Sequence, residues 1–114
     1  MKIGTIANLL SAEILCGKED VNCDVHSACA SDMMSDVLAF VKDQGVLITG
    51  LINSQVIRTA NMMDMVCVVF VRSKTPTEDM IELAKECGIV LMSSELRAYD
   101  AYGILYSHGL GRED

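Results

Sequence analysis

Three short, almost wholly apolar runs recur about twenty residues apart: VLIT from Val46 to Thr49, MVCVVFV from Met65 to Val71, and IVLM from Ile89 to Met92. Each is followed by polar punctuation and then by an amphipathic stretch, which is the rhythm of alternating strand and helix. Strict in-out alternation is missing from these runs, so neither face is built for water. That pattern predicts parallel strands covered by helices on both sides, an α/β architecture.

The helix after MVCVVFV has the sharpest boundaries. TPTEDMIELAKECG offers Thr75 as N-cap, Pro76 at the first helical position, Glu78 closing a capping box and Gly88 as a left-handed stop. Met80, Leu83, Ala84 and Cys87 then fall at i, i+3, i+4 and i+7, the buried stripe of a surface helix. Upstream, SDMMSDVLAFVKDQG reads the same way, with Ser31 or Asp32 as cap, Met34, Val37, Leu38 and Val41 as the stripe, and Gly45 as terminator.

NCDVHSACA sets Cys23, Val25, Ser27 and Cys29 against Asn22, Asp24, His26 and Ala28, which predicts a half-covered strand. At the start, KIGTIANLL puts Ile3, Ile6 and Leu10 on one helical face, and AEILCG is a short strand before the polar turn KEDVN. The last stretch, SSELRAYDAYGILYSHG, is a capped helix carrying Tyr99, Tyr102 and Tyr106, after which LGRED is expected to fray. These segments make about five strands, one domain over residues 1–110 and a flexible tail over 111–114.

Charge and thiol content narrow the function classes. Sixteen Asp and Glu stand against nine Lys and Arg, for a net charge of −7, and the cations do not cluster. Such a surface repels phosphate backbones and anionic lipid, which argues against nucleic-acid and membrane partners. Five cysteines cannot all pair within one chain, and Cys67 and Cys87 sit inside apolar patterns, which fits a reducing cytoplasm. The N-terminal stretch is broken by Asn8, Ser11 and Glu13, poor material for a signal peptide or a membrane span.

The stretch VLITGLINSQVIRTA has the outline of a phosphate-binding strand, turn and helix, but TGLINSQ supplies one glycine and no lysine. A Walker loop needs several glycines to aim consecutive N–H groups and a lysine to reach the terminal oxygens; a dinucleotide fingerprint lacks two further glycines here. Read plainly, Gly50 relieves backbone strain after the strand, and Asn53 or Ser54 caps the next helix.

Binding without turnover survives that test, because helix N-termini offer unpaired N–H groups and partial positive charge. In a parallel sheet these termini gather at the carboxyl edge. Four polar junctions meet there: Ser31 and Asp32, Thr49 to Ser54, Arg72 to Thr75, and Ser93 to Glu95. The candidate ligand residues are therefore Ser31, Asp32, Thr49, Gly50, Asn53, Ser54, Arg72 and Ser94, with Arg72 and Lys74 as the only cations at those junctions.

Other chemistries assemble less well. Cys23, His26 and Cys29 lie three apart, with Cys16 nearby, but on an extended strand such residues point to opposite faces and no paired CxxC knuckles occur, so no metal is expected. No strained turn announces a nucleophile for His26 or His108 to activate, and the carboxylates scatter along solvated faces, so no catalytic residue is assigned. Met33 with Met34 and Met62 with Met63 are adjacent pairs in helices, at least one of each facing the core. The spacing of Tyr99, Tyr102 and Tyr106 makes an aromatic ridge suited to a partner surface.

The segment ASDMMSDVLAFVKDQGVLITGLINSQVIRTANMMDMVCVVFVRSKTPTEDMIELAKECGIVLMSSE resembles the DRTGG domain, a module found in some CBS-containing pyrophosphatases and phosphotransacetylases. The likeness rests on the SDMMSDVLA helix entry, the LITG strand and turn, the VIRTA helix and the TPTEDMIELAKECGIVLMSS helix and strand, with Thr49, Gly50, Arg58 and Thr59 nearest the family's eponymous string. It runs from about Lys2 to Leu110. The resemblance implies a three-layer α/β/α fold with a largely parallel central sheet, similar to the N-terminal domain of HPr kinase/phosphorylase. It further implies a non-catalytic module that dimerises or regulates a partner protein without a cofactor of its own. The alternative expectation is a sensor that binds an adenine nucleotide or similar anion at the carboxyl edge.

Overall fold

A computed structural model describes residues 1–30 and 45–110. The helix expected over SDMMSDVLAFVKDQG, with Ser31, Asp32 and the Met33 and Met34 pair, lies outside the described residues, as does the tail 111–114.

In chain order the elements are α1 (Ile3–Leu9), β1 (Glu13–Cys16), a single 3-10 turn (Lys18–Asp20), β2 (Ser27–Ala30) and β3 (Gly45–Thr49). They continue with α2 (Ser54–Met62), β4 (Cys67–Phe70), α3 (Glu78–Cys87), β5 (Val90–Ser93) and α4 (Ala98–Ser107). The five strands form one sheet in the order β1-β5-β4-β3-β2. β2, β3, β4 and β5 run parallel, and β1 closes one edge antiparallel to β5.

Residues of β3 are buried from end to end, and β4 likewise, as their unbroken apolar runs require. The register stacks Val46, Cys67 and Val90 across the sheet, then Leu47, Val68 and Leu91, then Ile48, Val69 and Met92. Because side chains alternate along a strand, these rows feed two cores. Val46, Ile48, Val69 and Met92 pack with Ile3, Ile6 and Leu10 of the α1 segment and Ala101 and Leu105 of α4. Leu47, Val68, Phe70 and Leu91 pack with Val56, Ile57 and Ala60 of α2 and Met80 and Ala84 of α3. The result is three layers, with two of the described helices on each face.

The strand order also explains which helices share a face. β3, β4 and β5 succeed one another in one direction across the sheet, so right-handed crossovers place both connecting helices, α2 and α3, on the same side.

Several boundaries differ from the sequence reading, each for a local reason. α3 begins at Glu78 with Thr77 as its cap, whose hydroxyl accepts the Met80 N–H at 3.3 Å. Pro76 is buried ahead of the helix, and the Thr75 to Glu78 capping box does not form. Gly88 does end the helix in the left-handed region at φ 72°. Met65 is not yet strand, since Asp64 turns left-handed at φ 56° and the Met65 N–H bonds back to the Ala60 carbonyl.

Only Ser27–Ala30 of the expected NCDVHSACA strand is sheet. The preceding residues cap α1 instead: the carbonyls of Cys23 and Val21 accept the Ile3 and Gly4 N–H groups at 3.0 and 2.9 Å, two of the donors a helix start leaves unpaired. Gly45, read as a helix stop, is the first residue of β3. Leu110 is not frayed: it is buried, and its N–H bonds to the Leu105 carbonyl. No described helix is long and apolar enough to cross a membrane.

Candidate functional site

The carboxyl ends of β3, β4 and β5 bring together most of the described candidates. Thr49 closes β3 and is fully buried, its hydroxyl accepting the Leu51 N–H at 3.1 Å. Two residues further on, Asn53 caps α2 by accepting the Gln55 N–H at 2.9 Å, so Ser54 is the first helical residue and not the cap. The start of α2 carries no acidic side chain in its first turn, which leaves its partial positive charge uncompensated from within the helix.

Gly50 has a different reason for being glycine than the sequence implied. Its backbone is not left-handed; a Cβ placed there would lie 2.7 Å from an Nη atom of Arg72. A guanidinium nitrogen of Arg72 thus lies where a side chain at this position would begin, against the backbone at the end of β3.

Arg72 is held there by an unusual turn. Arg72 and Ser73 both adopt left-handed backbone, at φ 57° and 59°, a cost of about 1–3 kcal/mol each for residues with a Cβ. The Arg72 N–H bonds to the Leu96 carbonyl at 2.8 Å and the Ser73 N–H to the Ser94 carbonyl at 2.9 Å, which fixes the turn against the chain leaving β5. No carboxylate among the described residues pairs with the exposed Arg72 side chain.

Ser94 sits apart from that cluster in chemical role. It is 1% exposed, and its hydroxyl donates to the Leu10 carbonyl at 2.8 Å while accepting the Leu96 N–H at 3.2 Å. It ties the end of α1 to the end of β5. Beside it lies a shallow cleft of about 270 Å³ whose lining includes Glu13 and Glu95 and no Lys or Arg. Two carboxylates make that side of the rim unfavourable for an anion. The Gly50 and Arg72 side is the better anion surface.

The strand order contains no reversal among β2, β3, β4 and β5. The loops nevertheless diverge to opposite faces after β4 and β5, toward α3 on one side and α4 on the other, and the cleft beside Ser94 lies between those two loops. A larger cleft, about 600 Å³, opens at the opposite edge, where Lys2, Asp24, His26 and His108 contribute polar groups. Sequence reasoning gave this cleft no role, because its residues come from both chain ends and an irregular loop, with no shared motif. Lys2, Asp24 and His108 bond within the chain: Lys2 Nζ reaches the Asn22 carbonyl at 3.0 Å and an Asp24 carboxylate oxygen at 3.5 Å, and His108 Nδ1 lies 2.8 Å from the Ile104 carbonyl.

The thiols are scattered. Cys16 and Cys67 are buried, Cys23 is exposed, and none of the five is in a disulfide. Burial pushes the Cys67 thiol far above its ordinary value and raises that of Cys16, so both stay protonated and unreactive near neutrality. Among the described residues no three His, Cys, Asp or Glu side chains come together as metal ligands. Tyr99 and Tyr106 are exposed on α4, and Tyr102 is half-buried against the α1 side of the core.

The described residues thus form a three-layer α/β domain with a polar, arginine-bearing rim at the carboxyl edge of its parallel strands. The DRTGG domain family matches residues 5–107, and the chain belongs to that family. The fold agrees with a solved relative: the crystal structure of the CBS and DRTGG domains of the regulatory region of Clostridium perfringens pyrophosphatase, complexed with activator, diadenosine tetraphosphate. The two superpose with a TM-score of 0.72 at 17% identity, over 91% of this chain and 45% of that one. Among curated proteins, no sequence relative matches.

Proposed function

We propose that this chain is a regulatory module that works by association, as a homodimer and on a partner protein, with no substrate turnover of its own. Membership of the DRTGG family, together with the fold shared with a pyrophosphatase regulatory region, is the observation that carries this reading. Residues 1–110 act as one domain in it, and five thiols outside any disulfide fit the cytoplasm. Sedimentation equilibrium of the purified chain is expected to show a concentration-dependent dimer. A species that stays monomeric throughout, and that retains no protein from a cell extract, would falsify the reading.

The Arg72 guanidinium laid against Gly50, beside the open start of α2, favours a second reading, in which the carboxyl edge holds a nucleotide or similar anion. The regulatory region that shares this fold is described with diadenosine tetraphosphate, but it also contains CBS domains and this chain spans 45% of it. The nucleotide comes to this chain as a proposal that stands on Thr49, Gly50, Asn53, Ser54 and Arg72. A thermal-shift panel of adenine nucleotides, diadenosine tetraphosphate included, tests it. Ligand at a hundredfold excess over Kd contributes about 2.7 kcal/mol of stability, and Arg72→Gln is expected to abolish most of that gain. A panel that leaves the melting midpoint unmoved sinks the anion reading and leaves the associative one standing.

A further inference from the structure

The cleft beside Ser94 is lined for hydrogen-bond donors. It opens where the loop after β4 turns toward α3 and the loop after β5 turns toward α4, the kind of switch point at which open α/β sheets hold their ligands. Ser73 and Thr75 line it from the first loop, Ser93 and Glu95 from the end of β5, and Glu13 from β1. Glu13 lies directly opposite Ser93 in the antiparallel register, so the two side chains share a face. Ser93 has already placed its proton, since its Oγ donates to the Lys74 carbonyl at 2.7 Å. What it leaves to a visitor is lone pairs, and the exposed Glu13 and Glu95 carboxylates offer nothing else.

A short way along the same rim the chemistry reverses. The turn that puts Ser73 in the cleft puts the Arg72 guanidinium over Gly50, close to the start of α2. In the parallel register Thr49, Phe70 and Ser93 stand abreast, so Gly50 and Ser94, the next residues, lie two strand spacings apart, roughly 10 Å. A single molecule that suits both places carries an anion at one end and hydroxyl donors at the other.

We infer that this cleft seats the sugar of a nucleoside diphosphate whose phosphates lie over Arg72 and Gly50, with Glu13 and Glu95 accepting hydrogen bonds from the sugar hydroxyls. This rests on the anion reading above and adds which way round the ligand lies. Carboxylates repel phosphate, so the reversed orientation is disfavoured at both ends. A vicinal diol presents two donors side by side, which a carboxylate accepts on its two oxygens. The cleft, at about 270 Å³, is smaller than the roughly 300–1,000 Å³ that encloses a whole drug-sized ligand; it holds one part of the molecule and leaves the phosphates on the open rim.

Titration calorimetry of the full chain with ADP and deoxy-ADP, which lacks one sugar hydroxyl, tests this. ADP is expected to bind at least about tenfold more tightly than deoxy-ADP. Glu13→Gln combined with Glu95→Gln is expected to erase that difference by weakening ADP alone. Both carboxylates are exposed, so the ligand-free melting midpoint of the variant stays in place and reports an intact fold. Arg72→Gln weakens both nucleotides alike. Equal affinities in the wild type, a preference that survives the double substitution, or a variant that binds ADP more tightly because two repelling charges have gone overturns the sugar seat while leaving the anion site standing. A chain that binds neither nucleotide removes both.

Discussion

Gly17 and Gly50 are both glycines pressed by a neighbour, and the neighbour decides what substitution does. At Gly50 the atom in the way belongs to the end of a flexible arginine, which can swing aside. At Gly17 the backbone is left-handed at φ 84°, and a Cβ would come within 2.7 Å of Val90 Cγ2 and 3.1 Å of Val90 Cα, so neither conformation nor space can give cheaply. Gly17→Ala is expected to destabilise the chain by about 2–4 kcal/mol, read as a lower urea midpoint at an unchanged slope. Nothing local in LCGKED distinguishes this glycine from an ordinary turn residue. Its burden comes from Val90, which is distant in sequence and adjacent only because β1 pairs with β5.

Helix ends show how far local chemistry can be read. For α3 the stop at Gly88 was legible, because a left-handed glycine after an apolar stripe has few other uses. Its start was misplaced by two residues, because Thr75 and Thr77 are equally good caps by type and only the path of the buried Pro76 decides between them. Thr77→Ala should therefore cost about 1 kcal/mol of stability and Thr75→Ala only a few tenths, a difference resolved by paired denaturant titrations. Equal effects would mean that the cap has been misassigned. The strand expected over NCDVHSACA shortened for a related reason: the Cys23 and Val21 carbonyls are drawn to the start of α1, and alternation of side chains cannot reveal a competing partner for the backbone.

At the scale of the whole molecule, the buried thiols couple stability to pH. Cys67 is raised by burial, so the folded chain keeps a proton that the unfolded chain loses above the ordinary thiol value near 9.0. The stabilisation is complete below that value and declines as pH rises through it, at about 1.4 kcal/mol per pH unit for this thiol, with Cys16 adding in the same direction. Cys67→Ala is expected to lower stability at pH 7 through the lost packing yet flatten the alkaline limb. A limb equally steep in the variant would assign the loss to charge repulsion instead. The layered α/β plan was legible in the residues, since three unbroken apolar strands can be buried only between two layers of helices, and so were the stripes that face them. That β1 turns antiparallel on the edge, that the Arg72 guanidinium lies over Gly50, and that Ser94 ties α1 to β5 were not. Periodicity records how much surface a segment must hide; which distant group arrives to cover it depends on strand order and register, and those are settled when the whole chain packs at once.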